Sequence, residues 1–159
     1  MNDIFNRVAP KIRETRTILD IGAGIRPQPF FKPKRHICVE PHKEYGCWLI
    51  ENGYDLWDMT ALQALEEAKH VDTIFMLDVI EHMTKTEGLE ARHLAKLKAD
   101  QVVVYTPMGF KEQSYQDGDK DAWGMNGTYW QTHRSGWTPE DFPGWDITAE
   151  AGSFFAIWG

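Results

Sequence analysis

The sequence predicts one α/β domain whose sheet is mostly parallel and ends in a C-terminal antiparallel hairpin. Two observations carry this prediction. Short apolar segments alternate with polar, helix-compatible segments along most of the 159 residues, as in a parallel sheet with crossover helices. A chain of this length with 42% hydrophobic residues can fill one core and has little material for a second.

The first two thirds of the chain contain the predicted parallel strands, at residues 17–21, 36–40, 54–57, 73–77 and 101–106, of which the third is the weakest. Helices are predicted at 42–51, 61–70 and 86–98. In the last of these, Leu89, then His93 or Leu94, and then Leu97 recur at helical spacing, and we expect this stripe to pack into the core. The first crossover, from Gly24 to His36, is too short and too rich in proline for a full helix, so a loop or a single turn is expected.

The segment after residue 107 has no clear periodicity and is rich in Gly, Trp, Asp and Asn. Its aromatic residues argue against disorder, so we expect an ordered binding loop. Thr138 and Asp141 have the spacing of a helix N-cap and its capping-box partner. Two apolar stretches, 145–148 and 153–158, are joined through Ala151 and Gly152 and predict the hairpin.

Composition excludes several classes of partner. The formal net charge is −7 and no window concentrates Lys and Arg, so no nucleic-acid partner is expected. No apolar run is long enough to cross a bilayer and the N-terminus lacks the apolar core of a signal peptide, so we expect a cytoplasmic protein with no membrane partner. Cys38 and Cys47 form no CxxC pair, which favours reduced thiols over a zinc site or a disulfide. The sequence gives no indication of the oligomeric state.

Two glycines follow the first predicted strand directly, in the motif LDIGAG at residues 19–24. Gly22 and Gly24 would permit a tight turn and a close approach of a ligand to the backbone. Glu40 ends the next strand 18 residues beyond Gly22, near the spacing at which an acid accepts hydrogen bonds from ribose hydroxyls. Together these features predict a nucleoside-containing ligand on a Rossmann-like sheet.

The residues around this turn favour a cationic ligand over a pyrophosphate. A dinucleotide site has a third glycine and a helix N-terminus, whereas this chain continues as IRPQP at residues 25–29. Carboxylates end or follow several predicted strands, namely Asp20, Glu40, Asp58 and Asp78. S-adenosylmethionine carries a sulfonium and an ammonium group but no phosphate, so these carboxylates favour it over NAD. A nicotinamide-dependent oxidoreductase therefore fits less well.

Two motifs resemble the class I S-adenosylmethionine-dependent methyltransferases. LDIGAG at 19–24 is similar to their glycine motif, and LDVIEHM at 77–83 is similar to their fourth-strand motif, in a match that covers about residues 17–107. The missing first helix and the weak third strand depart from the family pattern. The resemblance implies that the glycines pass beside the methionine part, Glu40 holds the ribose, Asp58 and Met59 lie near the adenine, and Asp78 lies by the sulfonium. The cofactor-binding residues expected are Asp20, Gly22, Gly24, Glu40, Asp58, Met59 and Asp78.

The segment after the fourth strand allows three interpretations. Glu81 caps the following helix and His82 packs beneath it, or His82 or His133 acts as a general base toward a substrate hydroxyl or amine. In the third, Asp78, Glu81 and His82 bind magnesium or manganese, since carboxylate oxygens and an imidazole suit these ions. A site without metal is expected, with His82 and His133 as the catalytic candidates.

The long loop is where this fold usually builds its acceptor pocket. Trp123, Tyr129, Trp130 and Trp137 provide aromatic walls, and Arg134 provides an anion clamp. Alternatively, these aromatic residues seal the open end of the sheet or an oligomer contact. The domain thus divides into an N-terminal helix (1–16), a cofactor-binding core (17–107), a substrate or lid loop (108–144) and the terminal hairpin (145–159).

The resemblance implies direct methyl transfer from S-adenosylmethionine to an oxygen or nitrogen nucleophile of a small molecule, with S-adenosylhomocysteine as product. Catalysis would rest on proximity and orientation, helped by proton removal if the acceptor is a hydroxyl. The alternative is a non-catalytic module that binds S-adenosylmethionine and lacks an acceptor pocket.

Overall fold

The computed structural model describes residues 3–159 and shows one α/β domain built on a seven-stranded sheet. Five parallel strands are followed by an antiparallel pair, and the order across the sheet is β3-β2-β1-β4-β5-β7-β6. The strands are β1 (Thr17–Ile21), β2 (Arg35–Val39), β3 (Asp55–Trp57), β4 (Val71–Leu77), β5 (Ala99–Pro107), β6 (Asp146–Glu150) and β7 (Ser153–Trp158). The sheet confirms the predicted mostly parallel architecture with its C-terminal hairpin.

The α-helices are α1 (Asp3–Val8), α2 (Lys43–Glu51), α3 (Ala61–Glu67), α4 (Lys85–Lys98) and α5 (Thr128–Gln131). Single 3₁₀ turns lie at Ala9–Lys11, Ile80–His82 and Pro139–Asp141. Of the predicted N-terminal helix, Met1 and Asn2 lie outside the described residues. No helix between residues 3 and 159 is long and apolar enough to span a membrane.

Helices α3 and α4 cover one face of the sheet. Thr60 begins α3 with a capping box to Gln63, and the hydroxyl of Thr84 begins α4 by accepting from the Glu87 N–H. The predicted third helix is correct in position, and Leu89 and Leu94 of its predicted stripe pack against the core, but Leu97 does not: it is 62% exposed. The buried residues of α4 are Gly88, Ala91 and Ala95. Small residues let the helix lie close to the sheet, with Leu89 and Leu94 at the edges of the contact.

The opposite face is covered without a helix in the first crossover, as expected from its prolines. Phe30 and Phe31 pack on Phe75 of β4, each with ring centroids 6.0 Å apart, and Phe5 of α1 stacks on Phe30 at 5.5 Å. Helix α1 and the crossover loop therefore together bury the apolar surface that a first crossover helix would otherwise cover.

The segment between β5 and β6 is an ordered loop that runs back across the carboxyl ends of the strands. Asp121 holds it in place by accepting hydrogen bonds from the N–H groups of Trp123, Met125 and Gly127 and from the hydroxyl of Tyr45 on α2. The expected capping box of Thr138 and Asp141 is present, around a single 3₁₀ turn. The loop thus bridges two distant parts of the sheet.

Candidate active site

A cleft of about 450 Å³ lies outside the carboxyl ends of β1, β2 and β4. The strand order reverses between β1 and β4, which is where ligands bind in open parallel sheets. The glycine turn, Glu40 and Asp78 form its floor, residues 60–62 form one side, and the long loop together with Tyr45 forms the roof. The cleft therefore collects residues that are remote in the sequence.

The glycine turn follows β1 and has left-handed backbone at Gly22 (φ +64°) and Gly24 (φ +55°). The N–H of Gly22 donates to the carbonyl of Val39 at 2.8 Å, which ties the turn to β2. A Cβ at Gly22 would lie 2.7 Å from Cγ2 of Val79, and one at Gly24 would lie 2.5 Å from Cη2 of Trp123. Neither position has space for a side chain, so both glycines are required by conformation and by packing.

Glu40 follows β2 and is only 4% exposed. Its two carboxylate oxygens accept the N–H groups of Gly24 at 3.0 Å and His42 at 2.9 Å. Burial raises the pKa of Glu40 to about 7. The two hydrogen bonds lower this pKa and the charge of Asp58 raises it, but both effects are smaller than that of burial. Each oxygen of a carboxylate has a second lone pair, so Glu40 retains capacity for two further donors.

Three residues predicted to bind cofactor are not among those that line the cleft. Asp20 is buried, and its Oδ2 accepts the Gln28 N–H at 2.7 Å and pairs with Nε2 of His36 at 2.8 Å. Asp58 is exposed and Met59 packs against the core. The adjacent Thr60, Ala61 and Leu62 line the cleft instead. The sequence analysis did not identify these residues; the signal that could have found them is the capping-box spacing of Thr60 and Gln63 at the start of α3.

Asp78 directly follows β4 and lines the cleft. Among the described residues it is the one non-glycine residue with positive φ, +56°, a strained conformation that is concentrated at functional sites. Its carboxyl hydrogen bonds with that of Glu81, and burial is the largest cause of its raised pKa. Burial and the charge of Asp78 hold the pKa of Glu81 well above its usual range.

His82 and His133 come together although 50 residues separate them. Their ring centroids lie 4.9 Å apart in an edge-to-face arrangement. Nδ1 of His82 lies 3.3 Å from the carbonyl of Thr132, and Nδ1 of His133 lies 2.6 Å from that of Lys111. Burial and the neighbouring His133 lower the pKa of His82 to about 4, so its ring is neutral at pH 7.

The long loop places Trp123, Tyr129, Trp130 and Arg134 around the cleft, together with Gln131. The Arg134 guanidinium donates to the carbonyls of His82, Thr132 and Tyr129 at 2.8–3.0 Å, which braces the loop. Trp137, expected as a pocket wall, is instead fully buried in the core against Gly88. Tyr45 and Gln131, which no sequence motif marked, complete the roof through their mutual hydrogen bond of 3.1 Å.

A second cluster, formed by Asp20, His36 and Cys38, lies outside the cleft lining. Burial and the nearby carboxylates raise the pKa of the Cys38 thiol, so this sulfur stays protonated at neutral pH. The Asp20 carboxylate is already occupied by hydrogen bonds. This cluster therefore connects β1, β2 and the first crossover as a structural group.

Comparison with solved structures shows that the chain has the class I S-adenosylmethionine-dependent methyltransferase fold. A SAM-dependent methyltransferase of Archaeoglobus fulgidus superposes with a TM-score of 0.63 over 96% of this chain and 90% of its own, at 13% identity. Magnesium protoporphyrin IX methyltransferase of Synechocystis PCC 6803, with bound SAM, superposes with a TM-score of 0.58 over 97% of this chain and 74% of its own, at 11% identity. The small RNA methyltransferase HEN1 gives 0.63 over 97% of this chain and 24% of its own, at 16% identity.

No protein-family model matches the sequence, and neither does any curated protein. One of these neighbours is named for magnesium protoporphyrin IX and another for small RNA. Because one fold serves different acceptors, the choice of acceptor has to be argued from the cleft itself.

Proposed function

We propose that the protein transfers a methyl group from S-adenosylmethionine to an oxygen or nitrogen nucleophile of a small molecule. The observation that carries this proposal is the contact of the buried Glu40 carboxylate with the backbone of Gly24. It places an acid with spare acceptor capacity beside a glycine backbone that has no side chain of its own.

The residues of the cleft suit this cofactor. Its carboxylates, Glu40 and Asp78, match a ribose diol and a cationic sulfonium or ammonium, and the turn offers no helix N-terminus for a pyrophosphate. A volume of about 450 Å³ is in the range of small-molecule sites. Gly22, Gly24, Glu40 and Asp78 are therefore the proposed cofactor-binding residues, and Thr60, Ala61 and Leu62 are proposed for the adenine in place of Asp58 and Met59.

When bound, S-adenosylmethionine supplies an electrophilic methyl carbon, to which the acceptor lone pair forms a bond as the carbon–sulfur electron pair leaves with S-adenosylhomocysteine. The protein holds the acceptor in line for this displacement. Tyr129 and Trp130 offer apolar contact in the cleft. His82 lines the cleft and His133, which does not, contacts the His82 ring; these two histidines are the proposed groups that accept the acceptor proton. Arg134 is proposed to fix this side of the cleft.

Charge and thiol state support the remaining parts of the proposal. A net charge of −7 favours a small acceptor over a nucleic acid. Both cysteines, Cys38 and Cys47, are free thiols, as is usual in the cytoplasm, which is the proposed location. The aromatic and imidazole groups on the acceptor side favour an enzyme over a non-catalytic binding module.

The test is calorimetric titration of the full chain with S-adenosylmethionine, S-adenosylhomocysteine and NAD. We expect binding of the first two, no binding of NAD, and an affinity at least about tenfold lower in Glu40→Ala, which corresponds to about 1.4 kcal/mol. Glu66→Ala, which removes an exposed glutamate of α3, is the matched control and should bind like the wild type. Binding of NAD alone, or equal binding by Glu40→Ala, would refute the cofactor assignment.

A further inference from the structure

A second cavity, the crossover groove, has a volume of about 700 Å³ and lies between the first crossover loop and the turn that joins α2 to β3. Arg35 and Asp55, which begin β2 and β3, both line it, so the groove lies at the amino ends of these strands. The candidate active site lies outside the carboxyl ends and shares no lining residue with the groove. A ligand bound in the groove would therefore occupy a site separate from the cofactor cleft.

Three cationic side chains line the crossover groove, those of Lys32, Lys34 and Arg35. None of the ion pairs formed between residues 3 and 159 involves any of the three. The lining contains one carboxylate, that of Asp55, so two positive charges are in excess. The net charge of the chain is −7, which makes this excess a local feature of the groove. Neighbouring cations without partners repel each other, and an anion bound between them removes that repulsion.

His36 adds an imidazole to the same lining, held in one orientation by its neighbours. Its side chain is only 14% exposed, and its Nε2 lies 2.8 Å from Oδ2 of the buried Asp20. The ring also meets Tyr54 edge to face, with centroids 5.0 Å apart. Within the described chain Nδ1 has no hydrogen bond, and it is accessible from outside. A phosphate suits this nitrogen in either protonation state of the ring, because phosphate offers oxygen acceptors and, when singly protonated, an O–H donor.

The main chain of the crossover loop leaves two donors without an acceptor. Phe30 and Phe31 donate their N–H groups to Oε1 of Gln28, at 2.9 and 3.3 Å. The N–H groups of Lys32 and Lys34, on either side of Pro33, have no acceptor in the part of the chain that the structure describes. Free main-chain N–H groups beside Arg and Lys side chains are typical of phosphate-binding loops.

We propose that the crossover groove binds the phosphate group of a small organic molecule. A phosphate monoester carries a charge of about −1.5 to −2 at pH 7 and three acceptor oxygens. It therefore matches an excess of two cations better than a singly charged carboxylate does. The Arg35 guanidinium can bind two of these oxygens as a fork, and Lys32 and Lys34 supply point charges.

The size and walls of the groove define the rest of the ligand. A volume of about 700 Å³ is larger than a phosphate group needs, and Phe31 and Tyr54 offer aromatic surface to an organic part. A nucleic-acid backbone needs an extended basic surface, whereas the cations here lie within residues 32–35. This proposal does not rest on the methyl transfer proposed above.

The experiment is calorimetric titration of the full chain with phenyl phosphate, inorganic phosphate and benzoate at one fixed low ionic strength. We expect phenyl phosphate to bind best, because it combines a phosphate with an aromatic ring. Lys34→Ala and Arg35→Ala should each bind it at least about fivefold more weakly, since each loses a charge-assisted contact. Lys69→Ala is the matched control, because Lys69 is also an exposed lysine but lies outside the groove lining. Thermal unfolding without ligand should be the same for all four proteins, which shows that the variants fold.

Amide chemical shifts recorded during the phenyl phosphate titration locate the ligand, and we expect the changes at residues 28–36 and 52–55. No binding by the wild type, or equal binding by Lys34→Ala, Arg35→Ala and Lys69→Ala, overturns the site. Shift changes concentrated at Gly22 and Glu40 overturn it too, since they assign the phosphate to the cofactor cleft. Equally tight binding of benzoate overturns the phosphate class, and equally tight binding of inorganic phosphate overturns the organic part of the ligand.

Discussion

The indole of Trp123 covers Gly24, with its Cη2 2.5 Å from where a Cβ of residue 24 would stand. The ring also meets Tyr45 edge to face, with centroids 5.1 Å apart, and lies under the guanidinium of Arg26. The turn proposed to hold the cofactor is thus in contact with the roof of the cleft. Gly24 is therefore important both for packing against Trp123 and for the proposed binding of the cofactor.

Gly24→Ala should lower the free energy of unfolding by about 2–4 kcal/mol. About 1–2 kcal/mol comes from left-handed backbone, and the rest from overpacking against a rigid ring. The control is Gly118→Ala. Gly118 has φ +85° and no atom within 4 Å of an added Cβ, so this substitution should lower the free energy of unfolding only by the contribution of the left-handed backbone. Urea denaturation measures both losses.

A double-mutant cycle isolates the steric part. Adding Trp123→Ala to Gly24→Ala should recover about 1 kcal/mol or more as a favourable coupling free energy, because the clash is gone and the backbone strain stays. Additive effects of the two substitutions would contradict the contact.

Glu40 should make stability depend on pH in a defined direction. Its pKa is raised from 4.5 to about 7 in the folded protein, so folding favours the protonated form. The stabilisation is fully present below about pH 4.5 and is lost as the pH rises through 7. Between pH 4.5 and 8, wild type should lose up to about 3 kcal/mol relative to Glu40→Gln, measured as the difference of two urea denaturation series. If the free energies of unfolding of the two proteins depended on pH in the same way, Glu40 would not be the cause of the pH dependence.

Gly88→Ala should destabilise the protein although alanine is the better helix former. A Cβ at Gly88 would lie 2.3 Å from Cζ2 of the buried Trp137, and overpacking costs about 1–3 kcal/mol against a propensity gain of about 1 kcal/mol. At Gly46 of α2 the nearest atom is Cδ2 of Leu56 at 3.0 Å, the end of a flexible side chain. Gly46→Ala should therefore change the melting temperature much less, and equal shifts would count against the Gly88–Trp137 contact.

Asp121→Asn should loosen the long loop locally. Asp121 accepts three main-chain N–H groups and the Tyr45 hydroxyl, and hydrogen bonds to a charged acceptor contribute about 1.5–3 kcal/mol each. We expect faster amide hydrogen exchange at Trp123, Met125 and Gly127, with exchange in β4 and β5 unchanged. Asp117→Asn, at an exposed position of the same loop, is the control. Unchanged exchange in Asp121→Asn would show that other contacts hold the loop.

The sequence predicted much of the fold because buried parallel strands are continuous apolar runs, which can be recognised between the polar, helix-compatible segments. The predicted bounds of β1 and β7 agree with the structure, and those of the other strands differ by one or two residues. Helix α3 ends three residues before its predicted end because Lys98 Nζ, donating to the carbonyls of Glu66 and Ala68, stabilises the earlier end. A contact of this kind joins residues about 30 positions apart and leaves no local pattern.

The cleft was less predictable than the sheet. The sequence predicted four residues of the cleft because they lie just after strands that can be recognised as apolar runs. These residues are Gly22, Gly24, Glu40 and Asp78. Asp20 could not be separated from them, because the direction of its side chain depends on His36 of β2 and on Gln28, which the first crossover loop brings to it. The roof of the cleft depends on contacts such as the hydrogen bond between Tyr45 and Asp121. The sequence does not predict these contacts, because the long loop that carries Asp121 has no periodic pattern.

Helix α1 also bears on the order in which the chain can fold. Its Ile4 and Val8 share one apolar cluster with Phe155 and Ile157 of β7, and Lys11 just beyond it bonds Asp146 of β6 at 3.0 Å. During synthesis this helix therefore has no complete docking surface until residues 146–158 have left the ribosome. Such long-range contacts slow folding. A chain held on the ribosome before residue 146 should keep α1 accessible to proteases and chaperones, while β1–β5 are already synthesised.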